Sequence, residues 1–223
     1  AGRSGGMNAW VKGGMDNAGN GGLMRVAGVY LAGLRGVELT DAAITVTALT
    51  HADPCCILAS IFMVKLLEQL DSHRLPYKEA ADVAWESTEE AERVVSVLEA
   101  ESFFSDTTMT PEGYVKLLRK ALRKVGERVD AGVAGVKQKQ TGYVLDTLQA
   151  ALALQHGATS WMEVAEGAAL AGDDSDTVGC VAGAIAGAQG FEVPAELLVD
   201  LRVGASWGDW QQEWPSERLE GLL

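Results

Sequence analysis

The chain has 223 residues, 48% of them hydrophobic, enough to bury one generous core or two small ones. Its formal net charge of −13 argues against a nucleic-acid backbone or an anionic membrane surface as partner. The three cysteines, Cys55, Cys56 and Cys180, form no Cys-x-x-Cys pair, so neither a zinc site nor a disulfide framework is indicated, and a reducing cytoplasm is the expected setting.

Residues 1–22 are rich in glycine and asparagine without an apolar period, which predicts a loop. The chain starts at Ala1 inside that stretch, as if cut from something longer. The segment Asp16-Asn17-Ala18-Gly19-Asn20-Gly21-Gly22-Leu23-Met24-Arg25 then enters a helix to about Arg35, whose first N–H groups could meet phosphate oxygens. Thr40 or Asp41 opens a short helix that ends in Thr50-His51-Ala52-Asp53-Pro54. Pro54 suits the first turn of the next helix, with Asp53 as its cap.

That helix runs to about His73 and carries a broad apolar stripe of Ile57, Ile61 and Val64 beside Leu58, Phe62 and Leu66. Leu75-Pro76 breaks it, and an acidic helical stretch follows to about Glu101. Thr110-Pro111-Glu112 opens a helix with a basic face, Lys116 to Arg128, whose charges pair with acidic neighbours. After a break from Asp130 to Gln140, helices are expected from about Val144 to Gln155 and from Ser160 to Ala171. A last helix runs from Val193-Pro194 to about Val203, and Trp207, Trp210 and Trp214 suggest an aromatic cover. The fold class is all-α, a compact multi-helix bundle.

The stretch Asp173-Asp174-Ser175-Asp176-Thr177 places three carboxylates and two hydroxyls at a helix start. Such hard oxygens suit Mg²⁺, Mn²⁺ or Ca²⁺, while helix capping alone would also explain them. An EF-hand is excluded because its third ligand position falls on Val178. Gly179, Gly183 and Gly187 then share one helix face, which predicts a central helix that its neighbours approach closely. The uncharged run from Thr177 to Phe191 is too short for a membrane span, which needs about 20 residues.

The run from Gly172 to Gly179, continuing into Ala182-Gly183-Ala184-Ile185-Ala186-Gly187, resembles the signature of the ADP-ribosylglycohydrolases, which include the dinitrogenase reductase-activating glycohydrolase. The resemblance implies an all-α orthogonal bundle of that type and a two-metal Mg²⁺ or Mn²⁺ site. By it, Asp174, Asp176 and Thr177 become metal ligands, while Asp173 stands where the family usually has a second glycine. Three further segments resemble the family in its order. The Gly-Asn-Gly…Met-Arg segment would make Asp16, Asn17, Gly19, Asn20 and Gly21 the ADP-ribose loop. The Thr-His…Asp-Pro turn would place His51 beside the nucleotide. The Gly-Tyr-Val…Thr-Leu segment would put Tyr143 at the ribose pocket, although that tyrosine could equally be a core aromatic.

Family members also carry a Gly-Asp-Ala-Leu-Gly-like helix and a Thr-Asp-Asp-Thr motif supplying the remaining metal ligands, and neither is in this chain. Residues 1–223 are therefore expected to form a single family domain lacking the N-terminal segment, either a piece of a longer protein or a relative that has lost half of its metal site. The implied activity is metal-dependent hydrolysis of an ADP-ribosyl linkage, releasing ADP-ribose. The alternative is an inactive ADP-ribose-binding or scaffold protein. No catalytic residue is assigned by the sequence.

Overall fold

The computed structural model describes residues 3–88 and 91–199. Its helices are, in chain order, α1 (Gly5–Lys12), α2 (Gly21–Arg25), α3 (Ala27–Leu31), α4 (Gly36–Ala48), α5 (Pro54–Asp71) and α6 (Tyr77–Glu86). They continue with α7 (Ala91–Ala100), α8 (Pro111–Val133), α9 (Val144–Ala153), α10 (Trp161–Ala171), α11 (Ser175–Ala188) and α12 (Ala195–Val199). The architecture is all-α. Two units divide the chain, one spanning residues 1–191 and one spanning 192–223, of which α12 is the described helix. The three tail tryptophans lie outside the described residues.

Three helices start where their sequence caps predict, α5, α8 and α10. Asp53 accepts the Cys55 N–H at 2.8 Å at the head of α5, and Thr110 accepts the Gly113 N–H at 3.1 Å at the head of α8. Ser160 accepts the Glu163 N–H at 3.2 Å, while the Glu163 carboxylate accepts the Thr159 N–H at 2.8 Å, so both ends of the first α10 turn are tied. Arg119 of α8 pairs with Glu92 of α7 at 2.7 Å, which confirms the expected pairing of opposite charges on neighbouring helices.

The centre of the bundle is α5, not α11. Ile57, Leu58, Phe62, Met63, Val64 and Leu66 are all fully buried, and α5 packs on α2, α3, α4, α6, α8, α9 and α11. Each such side chain contributes about 1.5–3 kcal/mol of burial free energy, which explains why this helix holds its neighbours. In α11 the core face is Val178, Val181, Ala182, Ile185 and Ala186. The face of α11 that carries Gly179 and Gly183 packs along α10, but side chains would fit there. A Cβ on Gly183 would meet Trp161 at 3.5 Å, an ordinary contact, and one on Gly187 would meet nothing within 4 Å among the described residues. A neighbouring helix does approach this face, but not so tightly that glycine is required.

Several boundaries also differ from expectation. Residues 5–12 form α1 within the segment read as loop, because Met7 and Trp10, three apart, bury one face and the Trp10 indole donates to Asp53 Oδ2 at 3.1 Å. A Cβ on Gly6 would overlap the Ala48 carbonyl, so glycine lets α1 lie against the end of α4. The helix expected to Arg35 divides into α2 and α3 at Val26, α4 starts at Gly36 rather than near Thr40, the acidic stretch divides into α6 and α7, and α8 continues past Asp130 to Val133.

Candidate active site

The loop before α2, the turn before α5, the segment before α9 and the mouth of α11 meet in one place. The loop and the α9 segment are joined by an antiparallel bridge between Gly19 and Tyr143: the Asn20 N–H donates to Gly142 O at 3.1 Å and the Val144 N–H to Ala18 O at 2.9 Å. The Asn20 side chain ties in the third element. Its Nδ2 lies 2.5 Å from Asp174 Oδ2, 2.8 Å from Thr147 Oγ1 and 3.4 Å from Thr141 O.

His51 supplies the floor. A Cβ on Gly21 would meet its ring at 3.0 Å, one on Gly19 at 3.4 Å, and one on Gly22 would meet the buried Thr47 methyl at 2.9 Å. Gly21 and Gly22 are thus favoured by the histidine and threonine packed against the loop, whereas Gly19 has room for a Cβ. The Cys56 thiol, fully buried, donates to Gly19 O at 3.3 Å and supports the loop from a second side.

The histidine is held in one protonation state. Its Nδ1 lies 3.1 Å from Arg25 Nη2 and 2.7 Å from Thr50 Oγ1. A guanidinium can only donate, so Nδ1 accepts and the ring proton sits on Nε2, on the side facing Gly19 and Gly21. Burial, and then the Arg25 charge, lower the pKa of His51 and keep the ring neutral. Two residues on, burial raises the pKa of Asp53, whose carboxylate accepts from Cys55 and Trp10. Burial pushes the Cys55 thiol up to about 12, and partial desolvation on its inner side, with Cys55 and Asp53 nearby, raises the otherwise exposed Tyr143 phenol to about 12, so both stay protonated near neutral pH.

Of the residues singled out in the sequence, Gly19, Asn20, Gly21, His51, Tyr143 and Asp174 are brought together. Tyr143 is exposed, so the alternative of a core aromatic does not hold. Asp16 and Asn17 sit on the exposed approach to the loop. Asp176 is exposed and Thr177 is buried in the first turn of α11. Asp173 has a left-handed backbone, φ 51°, and its carboxylate lies 3.6 Å from Lys139 Nζ. Thr147, Arg25 and Cys56 were not singled out for the site. Thr147 left one signal, a lone hydroxyl on the apolar run of α9.

A family model described as ADP-ribosylglycohydrolase matches residues 2–221. The chain belongs to the ADP-ribosylglycohydrolase family. Members of this family act on ADP-ribosylated substrates and are generally metal-dependent. No curated protein and no solved structure matches the chain. Among the described residues, no helix is long and apolar enough to cross a membrane.

The donors at the mouth of α11 fit a hard divalent cation in kind: two carboxylates, Asp174 and Asp176, and one hydroxyl, Thr177. Among the described residues, no group of three or more His, Cys, Asp or Glu side chains could enclose a metal ion. One or two carboxylates are the usual protein share of an Mg²⁺ shell, with water and substrate oxygens filling the rest.

Proposed function

We propose that this chain hydrolyses the glycosidic bond of an ADP-ribosyl group and releases ADP-ribose. The observation that supports the reading is the 2.5 Å contact between Asn20 and Asp174, because it joins a glycine loop suited to a nucleotide with an acidic helix mouth suited to a cation. The family match across 2–221 supports reading residues 1–223 as a single domain of this family without its N-terminal metal-ligand segment, so the activity is proposed for the chain together with that segment.

In this reading Asp16, Asn17, Gly19, Asn20 and Gly21 border the ADP-ribose, with His51 holding the loop from below. Tyr143, protonated, offers its hydroxyl to the ribose. Asp174, Asp176 and Thr177 would hold Mg²⁺ or Mn²⁺, which when bound lowers the pKa of water and fixes substrate oxygens. The bond at the anomeric ribose carbon breaks through an oxocarbenium-like transition state, and the pre-formed loop lowers the entropy cost of placing it. Three unpaired cysteines, two of them buried, fit a reducing cytoplasm.

The test is release of ADP-ribose from arginine-linked and serine-linked ADP-ribosyl peptides, with Mg²⁺ and with EDTA. Mg²⁺-dependent release that is lost in Asp174→Asn is expected. Binding of ADP-ribose without turnover of either peptide would instead establish the ligand-binding scaffold.

A further inference from the structure

Asp174 occupies the N-cap position of α11 and yet makes no cap bond to its own helix. An aspartate there ordinarily accepts a backbone N–H and stabilises the helix, so its carboxylate is directed elsewhere for another reason. The other end of its contact is Asn20. The amide of Asn20 has two hydrogens and three oxygen acceptors within reach, at 2.5, 2.8 and 3.4 Å. Both donors are therefore engaged by protein oxygens, and neither is left to point at a substrate. Asn20 is itself fixed by its main chain, through the bond to Gly142 O.

Resting on the proposed metal-dependent activity, we propose that Asn20 is a positioning residue for Asp174: it turns the carboxylate away from its helix and aims it into the mouth of the site. The side chain acts through Asp174, and its two donors take no part in holding the substrate. Without the amide, the Asp174 carboxylate is free to rotate back and accept the N–H groups of Asp176 or Thr177, as an ordinary cap would. Replacing the amide with a carboxylate is worse, since two anions would then face each other at hydrogen-bond distance.

The experiment uses the full chain and Mn²⁺ alone as probe, titrated by calorimetry into the wild type, Asn20→Ala, Asn20→Asp and Thr147→Val. Partners that orient a metal ligand typically change affinity 10- to 100-fold, so Asn20→Ala should weaken Mn²⁺ about tenfold and Asn20→Asp more. Thr147→Val, which leaves the Asp174 contact in place, should weaken it by less than threefold. A metal-free readout runs beside it: the side-chain amide protons of Asn20, observed by NMR, should shift and exchange faster in Asp174→Ala. Wild type that binds no Mn²⁺ while the amide protons respond to Asp174→Ala would overturn the metal reading and uphold the positioning contact. Asn20→Ala that binds Mn²⁺ like the wild type, or amide protons indifferent to Asp174→Ala, would overturn the positioning role.

Discussion

Adding one methyl group to the ligand loop tests whether its glycines serve the packing beneath it. In Gly22→Ala the new Cβ would lie 2.9 Å from the Cγ2 of Thr47, a fully buried and β-branched side chain that cannot swing away. Overpacking of this kind costs about 1–3 kcal/mol, while alanine in a helix regains up to about 1 kcal/mol over glycine. The balance is a net loss of about 1 kcal/mol. Thr47→Ser removes the clashing methyl and by itself leaves a small void, at about 1 kcal/mol. Combined, the alanine methyl fills that void, so the double variant should be close to wild type and the cycle should show a coupling of about 1–2 kcal/mol. Urea unfolding of the four proteins measures the cycle, and ADP-ribose affinity should follow the same order. Strictly additive losses would refute the reasoning, because they would mean that the two groups do not touch.

Tyr114→Phe removes a fully buried hydroxyl that donates to Ala52 O at 2.6 Å beside His51, and should lower stability by about 1–3 kcal/mol with an unchanged denaturant slope. Asp173 holds φ 51°, so Asp173→Val should cost about 1–2 kcal/mol by thermal melting whereas Asp173→Gly should cost nothing; equal losses in both would contradict the left-handed backbone. Burial and Arg25 hold the pKa of His51 below the usual value of about 6.5, so the unfolded chain takes up a proton that the folded chain does not. That contribution is complete above about pH 6.5 and disappears as pH falls through the folded-state pKa. Wild-type urea midpoints should therefore drop relative to His51→Gln between about pH 7.5 and about pH 5, and parallel curves would show that His51 is not held neutral.

The parts of the fold that were legible in the sequence are those that local chemistry decides. Asp53-Pro54, Thr110-Pro111 and Ser160 cap their helices through side chains acting within three residues, and no distant partner has to be known. Helix α1 was illegible for the opposite reason. Its glycines discourage a helix locally, and it forms because Met7 and Trp10 find the core and Asp53. The glycine face of α11 misled in a related way: spacing shows that side chains are missing from a face, but it does not show what lies opposite. In the site, residue types were legible and their roles less so. For His51 the turn motif suggests a nucleotide neighbour, while nothing in the spacing shows that its ring also packs beneath the loop. Asn20 was read as a loop residue, and its amide reaches an aspartate more than half the chain away.

That reach has a consequence for how the protein folds. The three acceptors around the Asn20 amide lie 121, 127 and 154 residues away in sequence. Contacts of such separation form late, after the intervening chain has been ordered, because the loop-closure entropy must be met before they contribute anything. The helices can thus be largely built while the site is still open, and Asn20 meeting Asp174 would mark the end of folding. Two fragments of this chain, cut in the exposed stretch near Thr107, would each carry half of the site and neither would hold it alone. Mixed together, they would report on folding and site assembly as separate events.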